Sequence, residues 1–247
     1  MRYFIQLAYN GTRFCGWQRQ PNALSVQEIL ENKLSLLLRE PTEIIGCGRT
    51  DTGVHALCYF AHFEFEKIFE PDDLLFRLNK IVGDDIVIQK IFPVPEDLHA
   101  RFSATQRSYK YHISFKKNPF AQETVWHIPF FEKLDQEKMQ AAAQLLLAYK
   151  TFAPFCKTNS DAQTVLCDVT ESTWIFSDDG ACFYITSNRF LRGMVRLIVG
   201  MCINVGLNQL TIEDVKVALG SQTLLKKSYS VPPTGLFLSG VKYGDLI

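Results

Sequence analysis

Three residues that can hold or transfer charge, Arg49, Asp51 and His55, lie within seven positions of one another. Two glycines, Gly48 and Gly53, frame the aspartate. Because glycine tolerates positive φ and close backbone contact, they predict a tight, exposed loop. A carboxylate near a guanidinium stays ionised and oriented, which suits a nucleophile or a base. An isolated loop aspartate more often forms a turn with its own backbone, but the arginine two residues earlier favours a catalytic Asp51.

The histidines add little to this chemistry. His55 could act as a second acid or base, but such a residue more often orients a loop through a hydrogen bond. His62 and His112 fall in predicted strands, where a structural role is expected. The five histidines show no spacing that builds a metal site, so we expect no metal.

The formal net charge is zero, but the charges are segregated. Residues 1–27, 100–122 and 180–212 contain no acid, and the second of these segments carries Arg101, Arg107, Lys110, Lys116 and Lys117. Segregated charge can build a basic face for nucleic acid on a neutral protein. An ordinary solvated surface is the alternative, and charge alone does not separate the two.

Three arginines occupy an acid-free part of the chain. Arg189, Arg192 and Arg196 are spaced i, i+3 and i+7, which predicts that they share one helix face. The helix itself is expected from residue 191 to about residue 205. A solvated helix face normally mixes both signs of charge. We therefore expect this face to contact an anion, either phosphate or the Asp51 carboxylate.

A basic and aromatic segment follows residue 100. Tyr109 and Tyr111 share one face of a predicted strand, and Arg107 and Lys110 lie beside them. Aromatic rings can stack on bases while cations hold phosphates. Two packed core tyrosines are an equally good interpretation of the spacing.

The elements that must position these groups alternate between strands and helices. A capping box at Ser25 begins a helix that ends near Arg39, and Asp135 caps another. Several strands have a half-buried pattern, and 47% of the 247 residues are apolar. The pattern predicts an α+β protein whose sheet faces are covered by helices on one side.

Composition also bears on the compartment. The seven cysteines are scattered without a Cys-x-x-Cys pair, which fits a reducing cytosol. The longest nearly apolar run, residues 197–207, is well short of the roughly 20 residues that a membrane span needs. We therefore expect a cytoplasmic protein with no membrane partner.

Several ordered motifs together resemble the tRNA pseudouridine synthase A family over nearly the whole chain. They are YNGTRFCGWQ (9–18) followed by SVQ (25–27), GRTDTGVHA (48–56), HARFSA (99–104), RSYKY (107–111), Phe190 with MVRLIVG (194–200), and PTGLFL (233–238). The family isomerises uridine to pseudouridine at positions 38, 39 and 40 in the anticodon stem-loop of tRNA.

The resemblance implies a fold of two ferredoxin-like halves forming one mostly antiparallel sheet flanked by helices. We expect residues 1–104 to be the N-terminal half with the catalytic loop. Residues 105–247 would then be the C-terminal half, completing the sheet and an RNA-binding cleft. The resemblance further implies tRNA as partner, a homodimer and no cofactor.

By the same resemblance, Asp51 is the catalytic aspartate and Tyr109 stacks on the target uracil. Arg196 pairs with the aspartate, and Arg49 is linked to base flipping. Arg189, Arg192, Arg107 and Lys110 are further candidate RNA contacts. Asp51 would either attack C6 of the ring or assist loss of the C2′ proton, and the residues do not choose between these routes.

Two other functions stay open at this point. One is a tRNA-binding protein of the same fold without catalytic activity. The other is a hydrolase using Asp51 and His55, which would not need the distant basic segments. One residue departs from the family pattern: many members carry arginine where Cys167 aligns, which puts a tRNA contact in doubt.

Overall fold

A computed structural model describes residues 1–157 and 163–245. Its strands, in chain order, are β1 (Arg2–Tyr9), β2 (Ile45–Gly46), β3 (His55–Glu64), β4 (Ile86–Val94), β5 (Gln106–Ser114), β6 (Trp126–His127), β7 (Val169–Ser177), β8 (Gly180–Ser187) and β9 (Leu236–Lys242). The helices are α1 (Val26–Leu38), α2 (Pro71–Asn79), α3 (Gln136–Leu145), α4 (Met194–Gly206) and α5 (Ile212–Ser221). The strand pairings are mostly antiparallel. The predicted α+β fold class is confirmed.

The helix starts follow from local chemistry. The Ser25 side chain accepts from the backbone N–H of Glu28 and begins α1, and Asp135 does the same for α3 through Lys138. A capping box between Thr211 and Asp214 begins α5. Each of these caps satisfies amide groups that a helix leaves without an intrahelical partner.

The chain divides into two compact units, and the first comprises residues 1–105 and 237–247. In it β1 pairs with β3 and β4 in antiparallel register, with Phe4 opposite both His62 and Phe92. β9 joins β3 in parallel, with His55 opposite Phe237. Large aromatic side chains, including Phe4 and Phe63, are fully buried and form much of the core.

The second unit comprises residues 106–236. Its strand order is β5-β8-β7, all antiparallel, and β6 adds to β5 in parallel. Helix α3 packs against α4 and β7. Every residue of α4 is buried except Arg196, so this helix lies in the core of the unit.

The units differ from the predicted halves at the C-terminus. The prediction placed residues 105–247 together, whereas residues from Phe237 onward belong to the first unit. Parallel pairing of β9 with β3 accounts for this, and the Tyr243 hydroxyl also donates to the Ala100 carbonyl at 2.7 Å. The other boundary moves by one residue, from 104 to 105.

Candidate active site

The loop that carries Asp51, residues 48–54, is held by a neighbouring segment of the first unit. The Tyr9 hydroxyl lies 2.9 Å from the Thr50 hydroxyl, and the backbone N–H of Trp17 donates to the Thr50 carbonyl at 3.4 Å. The Gly53 N–H donates to the Phe14 carbonyl at 3.2 Å. These bonds fix the loop on both sides of the aspartate.

The loop also contains a close backbone contact and a tight turn. Gly16 has a φ of +84°, and a Cβ there would collide with the Thr50 carbonyl oxygen. Gly53 has a φ of +76°, and the Val54 N–H closes a turn onto the Asp51 carbonyl at 3.1 Å. L-residues rarely adopt this backbone region. The expected tight loop is therefore present.

Aromatic rings form the floor beneath this loop. Trp17 stacks on Tyr59 with ring centroids 4.0 Å apart, and the Tyr59 hydroxyl donates to the Gly48 carbonyl. Both rings are buried. Rigid packing of this kind holds a loop in one conformation.

His55 has a structural role. Its side chain is 1% exposed, its Nδ1 accepts the Gly11 N–H at 3.0 Å, and its ring stacks on Phe237 at 4.5 Å. Accepting at Nδ1 requires the neutral ring, so His55 anchors the segment beside the loop. This arrangement gives no support to a hydrolase that uses Asp51 with His55.

Asp51 and Arg49 differ in their surroundings. Asp51 is half-buried, whereas Arg49 is exposed. Within the described part of the chain Arg49 forms no ion pair, so it does not neutralise Asp51. The arrangement leaves the Arg49 guanidinium available for a phosphate or a base.

Tyr109 lies in the second unit on β5, opposite Ile185 of β8. Its ring is half-buried and meets Phe190 edge-on, with centroids 5.1 Å apart. Tyr111, two residues along the same face, is fully buried and its hydroxyl donates to the Pro232 carbonyl at 2.8 Å. Only Tyr109 of the two therefore presents a ring to a ligand, while Tyr111 is a core residue.

Arg107 and Lys110 flank Tyr109 on the strand. Arg107 Nη1 donates to the Asn188 carbonyl at 3.0 Å, which ties the start of β5 to the segment after β8. Lys110 is half-buried, and its charge together with burial lowers the pKa of His112, with burial the larger cause. Arg107 thus has a structural bond in addition to any contact with RNA.

The predicted helix face of three arginines is wrong. Helix α4 begins at Met194, and its N-cap Gly193 has a φ of 71°. Arg189 and Arg192 therefore lie in the loop before the helix, and only Arg196 is helical. The positive φ at Gly193 breaks the periodicity on which the prediction depended.

Arg196 is fixed by a strand-like segment that the sequence did not single out. Its Nε donates to the Val231 carbonyl at 2.7 Å, and the Val231 N–H donates to the Arg196 carbonyl at 3.3 Å. Gly200, one turn further along α4, lies against the Tyr229 carbonyl. Pro232 and Pro233 were the available signal for an extended segment here.

Tyr111 links the same segment to β5. Burial raises the pKa of Tyr111, and the positive charge of Arg196 opposes that rise. The tyrosine hydroxyl therefore stays protonated and donates to Pro232. Arg196, residues 231–232 and Tyr111 form one connected arrangement inside the second unit.

Lys157 is a further cation near the loop before α4. Its backbone N–H donates to the Arg192 carbonyl at 3.0 Å, and the aliphatic part of its side chain covers Gly193. Arg192 itself is exposed and Arg189 half-buried. The loop before α4 therefore carries two cations, and Lys157 adds a third beside it. Sequence periodicity missed Lys157 because it lies 32 positions earlier than Arg189.

Cys167, which departs from the family pattern, is a core residue. It is 2% exposed, and its sulfur lies 3.9 Å from the Met194 sulfur. Burial raises the pKa of its thiol to about 11, and Arg189 opposes this effect. All seven cysteines are free thiols. Cys167 therefore takes no part in surface contacts.

Neither a metal site nor a membrane helix was found in the described residues. No three His, Cys, Asp or Glu side chains within 1–157 and 163–245 are placed to hold one ion. In the same residues no helix combines the length and the apolar character that crossing a bilayer demands.

Comparison with known proteins identifies close similarity over the full length. A family model described as tRNA pseudouridine synthase matches residues 6–103 and 142–244. The chain is 43% identical to "tRNA pseudouridine synthase A" of Azobacteroides pseudotrichonymphae, covering 100% of this chain and 98% of that protein. It is 44% identical to the protein of that name in Parabacteroides distasonis (99% and 96% covered) and 34% identical to that in Caldicellulosiruptor bescii (97% and 98% covered).

Proposed function

The chain belongs to the tRNA pseudouridine synthase family, and from that premise we propose that it isomerises uridine to pseudouridine in the anticodon stem-loop of tRNA, at positions 38, 39 and 40. The observation that carries the proposal is identity above 40% over essentially the whole length to proteins named tRNA pseudouridine synthase A. The enzyme is an isomerase of tRNA processing.

The reaction sets clear demands on the site. The N1–C1′ glycosidic bond breaks, the uracil turns, and a C5–C1′ bond forms. The proton leaves C5 and N1 gains a proton, so atoms balance without redox change. The base must leave its stack, which costs a few kcal/mol that protein contacts offset. The site also has to keep the detached uracil from water.

Asp51 is proposed as the catalytic carboxylate. It lies on a loop held by Tyr9, Trp17 and Phe14, so its backbone is fixed before substrate arrives. Preorganisation of this kind lowers the reorganisation needed in the transition state. Chemistry at C6 and assistance at the C2′ proton both need an ionised, oriented carboxylate.

Tyr109 is proposed to stack on the target uracil. Its ring packs perpendicular to Phe190, with centroids 5.1 Å apart, and stays half-exposed. Stacking of a base on an aromatic ring contributes about 1–3 kcal/mol. The phenolic hydroxyl can also take part in removing the C5 proton. Tyr109→Phe separates these roles, because it retains stacking and removes the hydroxyl.

The arginines receive distinct proposed roles. Arg196, fixed by its bond to Val231, is proposed to pair with the catalytic carboxylate. Arg49, exposed and without an ion pair in the described residues, is proposed to act in base flipping. Arg189, Arg192, Arg107 and Lys110 are proposed to contact the RNA backbone.

The decisive experiment uses purified protein and unmodified tRNA transcripts carrying tritium at C5 of uridine. Wild type should release tritium, and mapping should place pseudouridine at positions 38–40. Asp51→Asn should abolish release while tRNA affinity stays within about twofold. Asp84→Asn, at an exposed aspartate outside the loop, is the matched control and should retain activity.

Wild-type protein that binds tRNA without forming pseudouridine would instead establish the non-catalytic alternative. Full activity of Asp51→Asn would remove the catalytic assignment while keeping the reaction. Because binding and release are measured separately, the two failures are distinguishable.

Assembly and location complete the proposal. The family resemblance leads us to propose a homodimer that works in the cytoplasm, where its tRNA substrate is found. Light scattering of the purified protein should give about twice the 28.2 kDa chain mass. A monomer mass at micromolar concentration would contradict the dimer.

A further inference from the structure

The second unit contains a concave site between β5 and β6, which we term the β5–β6 cleft. Its volume is about 490 Å³, within the range of small-molecule sites. It lies between the end of β5 at Ser114, the loop of residues 116–122, and β6. None of the roles proposed above uses it, although two of its lysines belong to the acid-free segment of residues 100–122.

The chemistry of the lining fits a nucleotide. Lys116 and Lys117 supply positive charge, Asn118 and Gln122 supply amide groups, and Trp126 and His127 supply aromatic surface. The described lining residues include no carboxylate. Cations next to aromatic rings match a phosphate next to a base, the pairing that single-stranded RNA presents.

The two lysines are not equivalent. Lys116 forms an ion pair with Asp179, in the turn between β7 and β8, and this partner raises the pKa of Lys116. Lys117 is exposed and forms no ion pair within the described residues. Lys117 is therefore the cation whose charge is left for a ligand.

The loop that presents Lys117 is shaped by its own hydrogen bonds. Asn118 Oδ1 accepts the Phe120 N–H at 2.9 Å, and the Asn118 carbonyl accepts the Ala121 N–H at 3.3 Å. On the other wall Trp126 meets Tyr111 edge-on at 6.2 Å. The cleft is thus formed before a ligand arrives, which reduces the ordering cost of binding.

Its position on β5 separates the cleft from the target base. Tyr109 and Ser114 lie five residues apart on one strand, or about 17 Å at the rise of an extended chain. Stacked nucleotides advance about 3.4 Å each along a strand. A nucleotide in the cleft would therefore be several positions away from a uracil stacked on Tyr109.

We propose that the β5–β6 cleft binds a second nucleotide of the RNA substrate, several positions from the target, with its phosphate on Lys117 and its base against Trp126. This inference rests on the proposed function. The cleft acts in binding and register, away from the reacting atoms. Its loss should weaken tRNA binding and leave the maximal rate unchanged.

The test measures binding of an unmodified tRNA transcript to the full-length protein across salt concentrations. Lys117→Glu should weaken binding several-fold at 0.15 M salt. It should also make the negative slope of log K (the association constant) against log salt shallower by about 1. Lys117→Arg, which keeps the positive charge, should have the wild-type affinity and the wild-type salt dependence. Because Lys117 is exposed, the substitutions leave the fold intact, which circular dichroism checks.

Lys133→Glu is the matched control, because it reverses one exposed charge of the same unit that, like Lys117, forms no ion pair within the described residues and lies outside the cleft. It should leave the slope unchanged. If both variants lose tRNA affinity equally, the effect arises from the net charge of the protein and not from the cleft, and the proposal is overturned. Wild-type affinity and slope for Lys117→Glu would do the same, as would a defect confined to kcat.

A further arm separates RNA from a free nucleotide. Adenosine monophosphate at 1 mM should leave tRNA affinity unchanged, because it lacks the rest of the strand. If it instead lowers wild-type affinity to the level of Lys117→Glu, the cleft belongs to a free nucleotide and the proposal fails. Binding needs no catalysis, so an inactive wild type would fault the proposed function without deciding this inference.

Discussion

Arg196 and Val231 are joined in both directions: Arg196 Nε donates to the Val231 carbonyl at 2.7 Å, and the Val231 N–H donates to the Arg196 carbonyl at 3.3 Å. Arg196 is the one residue of α4 that is not buried. The pairing fixes a guanidinium on a rigid core helix and at the same time satisfies the backbone of an extended segment.

This pairing predicts that lysine cannot replace Arg196. Arg196→Lys removes the Nε donor while retaining the charge, and hydrogen bonds involving charged groups contribute about 1.5–3 kcal/mol. We expect a loss of that size in the free energy of unfolding, measured by urea denaturation, together with reduced kcat. Arg192→Lys, at an exposed loop position, should change stability by less than about 0.5 kcal/mol.

A second prediction concerns the contact beneath the Asp51 loop. Gly16→Ala places a methyl group against the Thr50 carbonyl and forces a residue with φ of +84° out of its preferred region. Strain and overpacking together should destabilise the protein by about 2–5 kcal/mol and displace the loop. Thermal unfolding and tritium release measure the two effects.

Gly83→Ala is the control that measures how much a positive φ alone costs in the free energy of unfolding. Gly83 has nearly the same φ, +85°, and no atom of another segment lies within 4 Å of the place that a Cβ would occupy. Its substitution should cost only about 1–2 kcal/mol and retain activity. Equal effects of the two variants would contradict the role of the Thr50 contact.

A third prediction addresses the loop before α4. Arg192→Glu should weaken tRNA binding and make the negative slope of log K against log salt shallower, because it replaces a cation proposed to contact phosphate. Lys133→Glu, an exposed position of the same unit outside α4, is the charge-matched control. Unaltered affinity of Arg192→Glu at every salt concentration would favour a solvated surface.

The fourth prediction is a loss of stability in acid. Burial, then the charges of Arg2 and His99, lower the pKa of His62 to about 4, and Glu64 opposes them. His62 Nδ1 accepts the Ala100 N–H at 3.1 Å, which requires the neutral ring. Below about pH 6.5 the His62 ring is therefore protonated in the unfolded chain, while in the native protein it stays neutral until the pH approaches 4.

Stability contributed by neutral His62 is complete above about pH 6.5 and falls as pH drops toward 4, because the unfolded state binds more protons in that window. Urea denaturation should show a loss of about 2–3 kcal/mol between about pH 7 and pH 4.5. His62→Asn, which retains an acceptor, should flatten this dependence. His99 titrates with the same sign, so a smaller residual slope is expected.

Much of the secondary structure was predictable because its signals are local. The caps at Ser25, Asp135 and Thr211 lie within three residues of the amides they satisfy. Alternation predicted the long strands for the same reason. The prediction failed where one residue changes local conformation, as at Gly193, which moved the start of α4 from residue 191 to Met194.

The sequence by itself determined the fold class, the ordered family motifs and the Asp51 loop, since each depends on residues close in the chain. Tertiary structure decided which of two neighbouring tyrosines is buried, that His55 anchors Gly11, and that Arg196 is fixed by Val231. It also placed Lys116 and Lys117 in a cleft with Trp126. These relationships depend on burial and on contacts between distant segments, which local periodicity does not encode.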